Sequence, residues 1–163
     1  KNIIYEKQRL FLGAMLSLLV CLMLQVVRNS ETNSTSRGLT DFAHIEEEYL
    51  ATIDSLNWPD GIALPDKLED EDTGASFQVG YGETRASYLW EYSWMKEWLD
   101  TYNTDPERAE KALEELEKAF DMPYMGIDRC DDATRNYLRE NIDKAKLGDP
   151  SGFTESIRAN YAN

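Results

Sequence analysis

The chain has 163 residues, with 17 basic and 31 acidic side chains, and its net charge at pH 7 is −14. So acidic a composition argues against nucleic-acid binding, because its surface repels phosphate backbones. A single histidine and two cysteines provide no typical zinc ligand set, and since Cys21 lies in an apolar run, Cys130 has no disulfide partner within the acidic part.

Residues 10–27 form an apolar run without a formal charge. As a helix the run would be about 27 Å long, close to the roughly 30 Å hydrocarbon layer of a bilayer. A cleaved signal peptide, a lipoprotein signal and a buried soluble helix are the alternatives. A cleaved signal peptide is disfavoured because the run is too long and has no small-x-small site close after it. A lipoprotein signal is disfavoured because the bulky Val20 precedes Cys21. A buried soluble helix is disfavoured because the run has no polar face. The run predicts a single transmembrane helix.

The residues on either side of this run indicate an orientation. Lys1, Lys7 and Arg9 precede the run, and Arg28 and Arg37 follow it. Because basic residues favour the cytoplasmic side, the count of three to two predicts the amino terminus inside. We therefore expect a single-pass protein of the cell membrane whose carboxy-terminal domain is extracytoplasmic.

The rest of the chain divides by composition. Residues 1–9 are a short basic tail of charge +2, so the residues from 28 onward carry −16. Residues 28–38 are small and polar, which predicts a flexible tether. Residues 39–163 are predicted to form one acidic helical domain that contains a real core.

An amphipathic helix of about sixteen residues is predicted to follow Thr40 or Asp41 as its cap. Acidic side chains occupy its other faces, and His44 is expected to be solvated. Its apolar side chains recur at helical spacing: Phe42, Ile45, Tyr49, Ile53 and Leu56.

Glycine and proline interrupt residues 57–83, which predicts a long loop. Its acidic stretch, residues 66–72, suggests a calcium site, but the spacing does not match an EF-hand, so a solvated charge run is the preferred interpretation. Phe77, Val79 and Tyr81 alternate as in a short strand, for which the sequence offers no partner.

An aromatic helix is predicted over residues 84–102, with Trp90, Trp94 and Trp98 one turn apart. This stripe has two interpretations: a buried core element, which we prefer, or an exposed contact surface. We expect Trp98 to be buried and Trp90 or Trp94 to lie nearer the surface, so Trp90 and Trp94 are the candidate interaction residues.

Three further helices are predicted in the carboxy-terminal part. The first begins at Asp105 and Pro106 and stops at Pro123. The second begins at Asp131 or Asp132, ends at Gly148 and includes Leu147 on its apolar face. A last short helix carries Phe153, Ile157 and Tyr161.

The predicted fold class is all-α: a transmembrane helix followed by a bundle of four to five helices with one long loop. The sequence has no glycine-rich phosphate loop and no histidine-activated nucleophile, so we predict no enzyme, no cofactor and no metal. We expect an accessory or interaction domain that binds a protein partner at the membrane, anchored by residues 10–27 and without nucleic acid. The alternatives are a small carboxylate-dependent hydrolase and a calcium-binding surface domain.

Overall fold

The computed structural model describes residues 38–69 and 71–161. Within these ranges the chain is mostly helical, which confirms the all-α fold class. The predicted basic tail and the apolar run of residues 10–27 lie outside the described residues, and no helix inside them is long and apolar enough to cross a bilayer. The elements are β1 (Leu39–Thr40), α1 (Phe42–Ser55), β2 (Phe77–Gln78), α2 (Tyr81–Thr101), α3 (Pro106–Glu117), two 3₁₀ turns (Lys118–Asp121 and Pro123–Met125), α4 (Asp132–Lys146) and α5 (Ser151–Asn160).

The predicted amphipathic helix is α1. The Asp41 side chain caps it by accepting a hydrogen bond from the His44 backbone N–H at 3.0 Å. Its apolar face is buried through Ile45, Tyr49 and Ile53. The periodicity therefore located this helix, although α1 has 14 residues and ends before Leu56.

A two-stranded antiparallel sheet joins the start of the described chain to the long loop. Leu39 pairs with Gln78 and Thr40 pairs with Phe77. The expectation that the strand near Phe77 has no partner was wrong, because a strand of two residues is too short to produce an alternating pattern. The sheet fixes the end of the long loop beside the start of α1.

Helix α2 begins at Tyr81, three residues before the predicted start. The prediction interpreted Gly80 and Gly82 as loop residues, but each has a structural role. Gly80 has a φ of 90°, which glycine adopts without strain. A Cβ atom on Gly82 would lie 1.8 Å from the Ile45 carbonyl oxygen, so glycine permits α1 and α2 to approach closely.

A glutamate from α1 caps the amino-terminal end of α2. The two oxygens of the Glu48 carboxylate accept hydrogen bonds from the Gly80 backbone N–H at 2.8 and 2.9 Å, and one also accepts from Gly82 at 3.2 Å. The first N–H groups of a helix have no partner inside the helix and carry partial positive charge. Glu48 therefore satisfies them from another element.

The next two helices begin at predicted caps, but α3 ends at Glu117, and a 3₁₀ turn over Lys118–Asp121 replaces the helix that was predicted to continue to Pro123. Asp105 caps α3 by accepting from the Arg108 backbone N–H, and Pro106 is its first residue. Asp131 caps α4 by accepting from the Thr134 backbone N–H at 2.7 Å. Gly148 has a φ of 77° just after the end of α4, as expected of a glycine stop.

Two groups of buried apolar side chains stabilise the fold on opposite halves of α2. The amino-terminal cluster lies between α1, the long loop and the start of α2, and the carboxy-terminal cluster lies between the rest of α2 and α3, α4 and α5. The amino-terminal cluster is Ile45, Tyr49, Ile53, Leu68, Phe77, Tyr81 and Ala86. The carboxy-terminal cluster is Trp90, Trp94, Met95, Trp98, Ala109, Ala112, Leu116, Ala119, Tyr124, Met125, Cys130, Leu138, Ile142, Ala145 and Phe153.

Candidate functional site

An open groove of about 490 Å³ runs along α3. Its volume falls within the roughly 300–1,000 Å³ that ligand sites in proteins occupy. The end of α2 and the end of α4 form its two sides. The lining residues are Trp98, Tyr102, Pro106, Ala109, Glu110, Leu113, Glu114, Glu117, Ala145, Lys146 and Gly148.

The floor of this groove is aromatic and apolar. The Trp98 ring stacks on the Tyr102 ring, with centroids 4.6 Å apart and planes 19° apart. Phe153 supports Trp98 from below in an edge-on contact at 5.3 Å. Tyr102 and Leu113 remain partly exposed. The groove therefore presents apolar surface to solvent on a base that close packing holds in place.

The rim of the groove is acidic. Glu110, Glu114 and Glu117 project from one side of α3 and Lys146 is the only cation of the lining, so the lining has a net charge of −2. Lys146 already binds Glu117. No ion pair engages Glu110 or Glu114 among the described residues, and both are exposed.

Leu147 lies in the chain between two lining residues of the groove but does not line it, and 88% of its surface is exposed. The prediction that Leu147 belongs to the apolar face of α4 was wrong. It follows the buried Ala145 by two residues, which is about 200° around a helix of 3.6 residues per turn. The side chain therefore points away from the carboxy-terminal cluster and from the groove, which Ala145 lines.

The two predicted interaction residues, Trp90 and Trp94, are each only 1% exposed. The prediction that one of them lies near the surface was wrong, whereas the burial of Trp98 is confirmed. Both indole N–H groups donate to the same carbonyl oxygen, that of Asn57, at 2.8 and 3.1 Å. These bonds tie the loop after α1 to α2, and both rings are buried within the fold.

Glu91 is an acidic side chain enclosed within the bundle. It is 7% exposed, and the Tyr124 hydroxyl donates to its carboxylate at 2.8 Å. Burial raises the pKa of Glu91 to about 7, although the Tyr124 hydrogen bond opposes this rise. Glu91 does not line the groove, so its place in the fold favours a structural role over a catalytic one.

The acidic loop over residues 66–72 was interpreted as a solvated charge run, but one of its carboxylates binds other side chains of the fold. The Glu71 carboxylate accepts hydrogen bonds from the Tyr81 hydroxyl at 2.8 Å and from Arg85 at 2.7 Å. Asp70 lies outside the described residues. Within residues 38–69 and 71–161, no three acidic, histidine or cysteine side chains are grouped as a metal site requires.

Sequence reasoning missed the groove although part of its signal was visible. Glu110, Glu114 and Glu117 recur at i, i+4 and i+7, so the sequence already placed them on one side of α3. Leu113 lies beside this side, at the edge of the apolar face. What the sequence did not contain was the distance between this face and the end of α4, which only the packing of the helices fixes.

Comparison of the chain with protein families, curated proteins and solved structures finds no match.

Proposed function

We propose that this protein is a membrane-anchored accessory domain that binds a protein partner through the groove along α3. The observation that carries the proposal is the partly exposed apolar surface of Tyr102 and Leu113 beside an acidic rim. An apolar centre with a polar rim is the usual anatomy of a protein interface. Trp90 and Trp94 belong to the carboxy-terminal cluster and do not line the groove.

The shape of the site supports a macromolecular ligand over a small one. Small-molecule sites are concave and enclose most of the ligand surface. Here the groove is open along one helix, and Tyr102 and Leu113 in its floor remain partly exposed. An extended partner surface covers such a groove better than a metabolite does.

The proposed location rests on the sequence. The apolar run of residues 10–27 is long enough for one bilayer span, and the polar residues 28–38 allow the helical domain to stand clear of the headgroups. We propose an extracytoplasmic domain because the basic residues favour the amino terminus inside.

The binding proposal is testable by photocrosslinking in intact membranes. A photoreactive leucine analogue replaces Leu113 in the full chain, because Leu113 lines the groove and is partly exposed. The same amino acid replaces Ile127 in a control, because Ile127 is an exposed apolar residue that does not line the groove.

We expect a discrete protein adduct from position 113 and none from position 127. An absence of adducts at position 113, or equal adducts at both positions, would contradict binding at the groove.

The anchoring proposal has its own experiment. Deletion of residues 10–27 is expected to move the chain from the membrane fraction to the soluble fraction, because the domain that follows is acidic and repels anionic headgroups. External protease is expected to digest the domain in intact cells. Digestion only after lysis would reverse the proposed orientation.

A further inference from the structure

We infer that the groove binds a cationic amphipathic helix of the partner, an inference that rests on the proposed function. The apolar floor calls for an apolar stripe on the ligand, and the rim calls for positive charge beside it. A helix that lays its apolar face in a groove is a recurring mode of peptide recognition.

The charges of the rim define where the partner's basic residues lie. Glu110 and Glu114 are one helical turn apart on α3, both are exposed, and neither has an ion-pair partner among the described residues. Glu117 at the other end is already paired with Lys146. The available negative charge is therefore concentrated in the middle of α3, so the complementary helix carries two basic side chains one turn apart.

The length of the groove also fits a helix. Helix α3 has 12 residues and is about 18 Å long, which matches three to four turns of a partner helix. Tyr102 and Leu113 offer apolar contacts along it. Such a ligand uses both the floor and the rim, whereas a simple polycation uses only the rim.

Two other occupants fit the charges poorly. An anionic lipid surface meets three glutamates and one lysine that is already paired. A second copy of this chain brings a net charge of −14 to an acidic rim. Like charges at an interface are repelled, so a cationic partner is favoured over both.

The experiment uses synthetic fluorescent peptides and the full chain in zwitterionic micelles, with the signal of empty micelles subtracted. The Lys peptide is a helix with a leucine stripe and lysines one turn apart on its flank. The Glu peptide replaces those lysines with glutamates, and the Ser peptide replaces the leucines with serines. Fluorescence anisotropy gives the Kd of each peptide for each form of the chain.

The decisive variant reverses the charge of the rim by Glu110→Lys and Glu114→Lys. Its matched control is Glu47→Lys with Asp54→Lys, which changes two exposed acids of α1 and shifts the net charge equally. We expect the groove variant to raise the Kd of the Lys peptide by at least about tenfold. The control is expected to stay within about threefold, because distant exposed charges are largely screened by salt.

The charge swap completes the test. The Glu peptide is expected to bind the chain that carries both Glu110→Lys and Glu114→Lys, and to bind the unaltered chain weakly. If reversed charges prevent folding, as judged by circular dichroism, Glu110→Gln with Glu114→Gln replaces them and is expected to weaken the Lys peptide by a smaller factor.

Three results would overturn the inference: no binding of the Lys peptide, an equal loss in the α1 control, or equal binding of the Ser peptide. These results are distinguishable from failure of the proposed function. A protein adduct at position 113 without peptide binding would mean a partner of other chemistry. Peptide binding without an adduct would mean a cationic groove ligand but no such partner in those membranes.

Discussion

The amino-terminal and carboxy-terminal clusters, both packed against α2, are stabilised in different ways. The carboxy-terminal cluster contains three tryptophans, and its rings meet neighbours on other elements, as when Phe153 contacts Trp98. The amino-terminal cluster contains no buried tryptophan among the described residues and is surrounded by a loop rich in glycine and acid. Its loop is held by side-chain carboxylates that bind groups far along the chain.

Three glutamates make these connections in the amino-terminal part. Glu46 accepts from the Leu68 backbone N–H at 3.2 Å, Glu48 caps α2, and Glu71 binds Tyr81 and Arg85. Each bond joins the loop, or the helix start that follows it, to another element. The comparison teaches that an acidic residue in this chain is not simply a solubilising one. Where apolar area is scarce, carboxylates that satisfy backbone N–H groups help to determine the loop.

The largest expected effect breaks the carboxy-terminal cluster. Trp94→Ala removes a fully covered ring and is expected to lower the free energy of unfolding by about 3–5 kcal/mol. Urea denaturation of the full chain, followed by circular dichroism, measures the loss.

Trp94→Phe is the matched control for that variant. It retains an aromatic ring but removes the indole N–H, while Trp90 still donates to the Asn57 carbonyl oxygen. We expect the free energy of unfolding to fall clearly less than it does in Trp94→Ala. A loss of less than about 1 kcal/mol on Trp94→Ala would show that this ring is not a main contributor to the cluster.

The next effect concerns pH and tests a buried acid beside the carboxy-terminal cluster. The pKa of Glu91 is raised from 4.5 to about 7 in the folded chain. A folded pKa above the unfolded one means that the stabilising contribution is complete below about pH 4.5 and is lost as pH rises through about 7. The difference between the folded and unfolded pKa values corresponds to about 3 kcal/mol in the free energy of unfolding.

Glu91→Gln isolates this contribution, because the other acids of the chain titrate equally in both proteins. The free energy of unfolding of the unaltered chain, minus that of Glu91→Gln, is expected to fall by about 3 kcal/mol between pH 4 and pH 8. A difference that stays constant over this range would mean that Glu91 is ionised in the fold at an ordinary pKa.

The smallest of the three effects tests the junction of α1 and α2. Gly82→Ala places a methyl group against the Ile45 carbonyl oxygen, which belongs to the backbone and cannot rotate away. We expect the free energy of unfolding to fall by about 1–3 kcal/mol, whereas replacing glycine by alanine inside a helix usually raises it. Thermal unfolding measures the change.

Gly38→Ala is the control for this variant, because a Cβ atom there meets nothing within 4 Å. We expect a change within about 0.5 kcal/mol. If Gly82→Ala stabilised the chain as a helical alanine does, the close approach of α1 and α2 would not limit the size of that side chain.

The sequence by itself determined the helices, because their signals are local. Asp41, Asp105 and Asp131 are all helix caps, as predicted, and Gly148 follows the end of α4. A cap needs only a side-chain oxygen three residues before the N–H that it binds, so its signal is contained in one turn. The apolar spacing likewise identified the buried faces of α1 and α3 before any neighbour was known.

Only the tertiary structure decided which surfaces are covered and by what. The stripe of Trp90 and Trp94 has the same spacing whether it is buried or exposed, and the Asn57 carbonyl that binds both is more than thirty residues away. Position 82 in α2 has no room for a side chain because the Ile45 carbonyl oxygen of α1 lies against it. The groove exists because α4 ends where it leaves the acidic side of α3 open. Each of these facts depends on contacts between distant segments, which local spacing does not encode.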